Sequence, residues 1–162
     1  NINLMGVVHG CYHFIPLMLA AGGPRQVVNV SSTASYAPSP SMASYAASKF
    51  AVAGFCDVLR MELHGSQIGV TDVCPGVINT AITSSGAAPS MQGEQIQRLQ
   101  AYYIKEGCLP DVVANDVVEA VMRGKTLVLT GPYSRLLYHL KRGSRRLLFK
   151  ITVKTAPKIG YL

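Results

Sequence analysis

Apolar positions along the chain fall into blocks whose spacing alternates between helical and strand-like. Residues 4–21, LMGVVHGCYHFIPLMLAA, are apolar nearly all round, which predicts a helix buried on every side. Gly22-Gly23-Pro24 ends it. Residues 26–30 are short, β-branched and bounded by turn residues, and predict a buried strand. Residues 31–43 are rich in Ser, Ala and Pro and read as a loop. Helical spacing returns over 44–64, SYAASKFAVAGFCDVLRMELH. Ser44 is its candidate N-cap, and Phe50, Phe55, Val58, Leu59 and Leu63 form its apolar stripe. Residues 68–74 predict a second buried strand, closed by Pro75-Gly76. After a polar stretch, residues near 92–104 are helical in pattern. Pro110 and Asp111 open a further helix to about Arg123. Residues 126–129 predict a third short strand, which Gly131-Pro132 breaks.

Strands alternating with helices imply βαβ units, a parallel sheet and an α/β fold. Three strands make a small sheet with an exposed edge. The 162 residues suit one domain or part of one, and the 49% hydrophobic, 14% charged composition excludes disorder. No uninterrupted apolar run reaches about 18 residues, so no transmembrane span is expected. Residues 1–21 lack a positive n-region and an A-x-A-like site, so they do not read as a signal peptide. Because the chain opens inside a patterned segment, a piece of a longer protein is expected. Cys11, Cys56, Cys74 and Cys108 have neither C-x-x-C nor zinc spacing and are expected to be reduced thiols of a cytoplasmic protein. No metal site is expected.

Charge changes the picture at one end. Residues 1–119 hold five Lys/Arg and eight Asp/Glu, for −3, whereas residues 120–162 hold ten Lys/Arg and no acid, for +10. Within 133–154, Leu136, Leu140, Leu147 and Ile151 lie among Arg142, Arg146, Lys150 and Lys154. Two readings stand: a solvated face packing its leucines inward, or a basic amphipathic segment on an anionic membrane surface. Gly143-Ser144 is expected to split it into two short helices. No recognised nucleic-acid motif accompanies the basic residues, so nucleic acid is not an expected partner.

Candidate chemistry lies elsewhere. Tyr45 and Lys49 are four apart, so a helix places them on one face. A phenol titrates near pH 10 in water, and an ammonium nearby favours its ionised form. Tyr45 could then exchange a proton with a substrate oxygen. Ser32 follows the first strand, at the end where open α/β sheets bind ligands, and its hydroxyl could donate to a developing alkoxide. Thr80 follows the next strand at the same rim.

Four motifs in order, NLMG (3–6), NVSS (29–32), SYAASK (44–49) and VCPGVINT (73–80), resemble the short-chain dehydrogenase/reductase family, with thirteen residues from Ser32 to Tyr45. The resemblance covers residues 1–131. It implies a Rossmann-like, doubly wound parallel sheet, of which this chain carries the C-terminal half. It also implies hydride transfer between NAD or NADP and an alcohol or ketone. By resemblance the catalytic residues are Asn3, Ser32, Tyr45 and Lys49: Tyr45 as acid/base, Lys49 on the cofactor ribose, Ser32 orienting the substrate oxygen and Asn3 supporting a water-linked relay. Pro75, Gly76, Ile78 and Thr80 are placed near the nicotinamide, with Tyr45 and Lys49 also touching cofactor. The later motifs are similar to reductase domains that sometimes follow an α/β-hydrolase domain.

The family's glycine-rich pyrophosphate turn is absent, so this piece alone is expected to be inactive. A homodimer or tetramer through the two long helices is implied. Residues 132–162 stand as a separate basic tail, and 81–109 as a variable lid whose Ile96, Leu99, Tyr102 and Tyr103 hint at an apolar small-molecule substrate such as a lipid, steroid or acyl chain. Ser31 is expected to serve the backbone, and His9, His13 and His64 to be structural. Tyr36, Tyr102 and Tyr103 are candidate pocket residues. The competing reading is a truncated, non-catalytic module for dimerisation or membrane contact.

Overall fold

The computed structural model describes residues 2–82, 91 and 93–162. Its elements run α1 (Ile2–Ala21), β1 (Arg25–Val30), a short 3-10 turn (Thr33–Ser35), α2 (Ala43–Glu62), β2 (Ile68–Pro75), α3 (Gly93–Glu106), α4 (Pro110–Met122), β3 (Leu127–Thr130), α5 (Ser134–Gly143) and α6 (Arg145–Ile159). The three strands form a parallel sheet in the order β1-β2-β3. Central β2 is buried over most of its length, as a strand covered on both faces must be.

Two cores flank the sheet. On one face Val27, Ile68 and Val70 meet Cys11 and Ile15 of α1 and Val52, Cys56 and Leu59 of α2. On the other, Val73 and Val128 meet Ala120 of α4. Helices on both faces make the sheet doubly wound. Asn29, buried in the first core, donates to the Cys56 and Cys11 sulfurs at 3.4 and 3.6 Å. Such donors find partners because a buried unpaired amide is costly.

The structure corrects three expectations. First, α1 is not buried all round. Cys11 and Ile15 are buried, while Tyr12, Phe14, Leu17 and Leu19 face outward, Tyr12 with 74% of its surface exposed. By length and composition alone this helix could cross a bilayer, but here one stripe packs on α2 and the sheet. Second, Met42 and not Ser44 caps α2, and no side chain bonds the helix end. Third, the buried stripe of α2 is Ala46, Val52, Cys56 and Leu59, while Phe50 and Val58 are exposed. Leu59, Phe55 and Leu63 of the expected stripe do pack on the first core, and Val52 and Cys56 join them there.

The basic tail folds back on the domain. Ser144 ends α5 and caps α6, its Oγ accepting from the Leu147 N–H at 3.2 Å. Leu148 and Ala156 point inward, and Leu99, Ala156 and Tyr161 form a third core between α3 and α6. Gly160 ends α6 at φ 103°, and a Cβ there would lie 2.5 Å from the Gln95 carbonyl oxygen. Glycine is therefore required both by the left-handed turn and by the close approach to α3.

Candidate active site

The in-register pairing of Val30 with Val73 keeps the carboxyl ends of β1 and β2 level, so their loops leave the sheet at one rim. At that rim two adjacent serines part company. Ser31 turns inward, its N–H and Oγ both reaching the Val73 carbonyl, at 2.8 and 3.2 Å. Ser32, extended at φ −177°, caps the 3-10 turn by accepting the Ala34 N–H at 3.1 Å. Its lone pair is engaged, and its proton is left for an outside acceptor.

Tyr45 and Lys49 occupy the first two turns of α2. The Lys49 ammonium lies 5.8 Å from the Tyr45 ring centre and donates to the Val30 carbonyl at 2.9 Å. Partial burial pulls the Lys49 pKa down, against an opposing pull from the Asp72 carboxylate. Asp72 is almost wholly buried, and desolvation pushes its pKa up. The Cys74 thiol donates to its Oδ2 at 3.5 Å, and its Oδ1 has no hydrogen-bond partner among the described residues. Burial and the Asp72 charge push the Cys74 thiol up to about 12, so it is neutral at ordinary pH.

The loop after β2 is pinned at both sides. A Cβ on Gly76 would meet the Pro132 carbonyl oxygen at 2.2 Å, so only glycine lets β2 exit past residue 132. Ile78 bridges Cys108, and the Asn79 N–H bonds the Cys108 carbonyl at 2.9 Å. Ser32, Tyr45, Lys49, Pro75, Gly76, Ile78 and Thr80 thereby line one cavity of about 530 Å³, within the range of about 300–1,000 Å³ usual for small-molecule sites. Asn3 is not brought to it: it is exposed in the first turn of α1 and lines neither this cavity nor the cleft beside it.

Tyr36 is a correction. It lines neither space. Its hydroxyl is buried against Ser134, 2.8 Å from Oγ and 3.0 Å from the carbonyl it donates to, while Ser134 Oγ donates to the Cys74 carbonyl at 2.9 Å. Burial holds that phenol well above its usual range. Tyr103 does line the cavity, and so does Tyr161, which the sequence pattern did not single out. Their hydroxyls sit 3.2 Å apart. Burial raises both phenols, so both are neutral. The one available sequence signal for Tyr161 was Gly160 closing the last helix. The proposed lid lies partly outside the described residues, at 83–90 and 92, but its helix α3 supplies Leu99 and Tyr103 to the cavity. His9, His13 and His64 are exposed.

The family model for short chain dehydrogenases matches residues 1–89, more than half of the chain. The Mycobacterium tuberculosis protein named Probable oxidoreductase EphD is 39% identical over 147 residues, 87% of this chain and 25% of its own length. A short chain dehydrogenase/reductase from Burkholderia phymatum, solved in complex with NAD, superposes with a TM-score of 0.77 at 28% identity, covering 90% of this chain and 57% of that one. A short chain dehydrogenase from Burkholderia cenocepacia, in complex with NADP, shares the fold with a TM-score of 0.74 at 23% identity, over 93% of this chain and 56% of that one. The chain thus spans a quarter of the first of these relatives and a little over half of the solved structures.

Proposed function

This chain belongs to the short-chain dehydrogenase/reductase family, and from that premise we propose that it carries the catalytic part of an oxidoreductase. The reaction passes a hydride between NAD or NADP and an apolar alcohol or ketone. The observation that carries the reading is the convergence of Ser32, Tyr45 and Lys49 with Pro75, Gly76, Ile78 and Thr80 on one cavity at the strand ends. The bound cofactors of the two Burkholderia neighbours support the choice of NAD or NADP.

The residues present fit the nicotinamide and ribose end of such a cofactor. The cavity has an ammonium held at the end of β1, a glycine at the exit of β2, and a hydroxyl at Thr80. When bound, the nicotinamide supplies or accepts the hydride. Ser32 donates its free proton to the substrate oxygen and holds it in place. Tyr45 gives that oxygen its proton in reduction and takes it back in oxidation. Lys49, anchored on Val30, stabilises the ionised phenol and offers its remaining protons to the ribose. Pro75, Gly76, Ile78 and Thr80 form the nicotinamide wall. Asn3 enters only through the family pattern, as part of a proton relay.

We place the catalytic portion at residues 1–131 and the tail at 132–162. The outward apolar faces of α1 and α2, with Phe14, Leu17 and Met61 exposed, support a homodimer or tetramer through those helices. Four free thiols fit a cytoplasmic location. Exposed Phe149 and Val153 beside Lys150 and Lys154 favour a second reading, a module for dimerisation or membrane contact without catalysis. Titration of the full-length protein with NADH and NADPH, followed by fluorescence, separates the two. Cofactor binding and a turnover that Tyr45→Phe removes support the enzyme. If no cofactor binds and no turnover depends on Tyr45, the module reading replaces it.

A further inference from the structure

A second concavity adjoins the catalytic cavity. It measures about 900 Å³ and lies between α3, α5 and α6. The two spaces share Thr33, Ala37, Ser39, Gly76, Tyr103 and Tyr161, so they adjoin at the wall that carries the paired tyrosine hydroxyls. A small alcohol or ketone needs only the first. From the shared wall, the apolar lining and the charge at its edge, we infer that the cleft holds the hydrocarbon chain of a long-chain substrate whose far end is anionic. This deepens the dehydrogenase reading and rests on it.

The cleft wall is apolar where a chain would lie, with Tyr102, Leu137, Leu140 and Ile151 lining it. Leu136 also lines it and keeps 63% of its surface in water. Covering apolar surface there favours binding. From Arg98 to Glu106, both lining residues, α3 rises about 12 Å. That length suits an extended chain.

The charges are unequal. Lys105 pairs with Glu106 at 3.5 Å, and Glu106 also accepts from the Tyr133 hydroxyl at 2.9 Å. Arg98 and Lys158 are exposed, line the cleft, and enter no ion pair among the described residues. They lie near one another because α6 returns to α3 at Gly160, beside the Arg98 Cβ. Two cations without an ion pair among the described residues, at the edge of an apolar cleft, match a carboxylate or phosphate on the end of a chain. The reacting carbon would stand at Ser32 and Tyr45, the chain would pass the Tyr103–Tyr161 pair, and the anion would rest between Arg98 and Lys158.

The test uses the full-length protein without cofactor and three probes, dodecanoate, hexanoate and dodecan-1-ol, titrated by calorimetry below their micelle concentrations. Dodecanoate is expected to bind one per chain, at least tenfold tighter than either of the others. Leu140→Glu is expected to erase the advantage of dodecanoate over hexanoate. The exposed double variant Arg98→Glu/Lys158→Glu, which need not disturb the core, is expected to erase its advantage over the alcohol. Equal affinities for the three probes in the unmodified protein overturn the inference, as does a carboxylate preference that survives the double variant. The dehydrogenase reading fails separately. If dodecanoate binds as described but turnover ignores Tyr45→Phe, the cleft is a fatty-acid site and the redox reading is lost. If turnover needs Tyr45 but the probes bind alike, the chain site alone is lost.

Discussion

The catalytic cavity and the cleft beside it are built from different materials. The cavity is made by loops at the ends of two paired strands, and most of its polar groups come from 31–49 and 75–80. The cleft is made by the sides of helices that meet only in the folded chain, α3 with α5 and α6. Strand register fixes the frame of the first, whereas the second depends on how helices settle against one another. Chemistry sits on the stiffer part, and the part that would choose the substrate sits where packing can drift.

The sharpest way to break this contrast is Tyr45→Phe. Loss of a positioned acid/base group lowers turnover by roughly 10²–10⁴-fold, while dodecanoate affinity should be unchanged, since the hydroxyl faces the cavity and not the cleft wall. Steady-state rates with NADH and NADPH, beside calorimetry, check both halves.

Ser134→Ala acts on the seam between the two regions. It removes the Oγ that donates to the Cys74 carbonyl and meets the Tyr36 hydroxyl, and leaves Tyr36 with only its bond to the backbone carbonyl of residue 134. A loss of about 2 kcal/mol is expected, read from chemical denaturation. No change would mean that water or a shifted Tyr36 replaces the bonds.

Asp72→Asn tests the buried carboxylate of β2. Burial raises the Asp72 pKa in the fold, so the folded chain holds its proton more tightly than the unfolded one. The contribution is complete below the ordinary carboxylate range, near pH 4, and is lost as pH climbs to the raised folded value. The asparagine variant should therefore match the parent near pH 4 and exceed it in stability at pH 7. Denaturation midpoints between those pH values decide it, and a variant weaker at pH 7 would falsify the account of Asp72.

The smallest effect is expected at Lys141→Ala. Its ammonium lies 4.5 Å from the Phe50 ring centre, joining α5 to α2. Loss of this contact should lower stability by about 0.5–1 kcal/mol, visible as a small fall in melting temperature.

The same contrast governs what the sequence revealed. Short-range chemistry was legible: Ser32 thirteen residues before Tyr45, Lys49 one helical turn on, and Pro75-Gly76 at a strand end. The alternation of strands and helices was legible too, because a parallel sheet with both faces covered writes long apolar runs. What was hidden depends on contacts distant in sequence. The outward face of α1 looks in sequence like the inward one, since both are apolar. The apolar residues of α2 run nearly all round it, so the sequence does not say that Val52 and Cys56 face the sheet while Phe50 and Val58 face out. Tyr161 reaches the cavity only because a left-handed glycine turns the chain back on α3. Tyr36, by contrast, is structural, and only the return of Ser134, 98 residues on, shows it.

The Tyr36–Ser134 bond joins residues 98 positions apart in sequence. Closing so long a loop is entropically unfavourable until much else is in place. The loop after β1 therefore reaches its final shape only when α5 has docked, and the rim that holds Ser32 matures late in folding. Under native conditions the two segments should open together. Amide hydrogens of residues 31–37 and 134–140 would then exchange with one shared opening free energy, distinct from that of the strands.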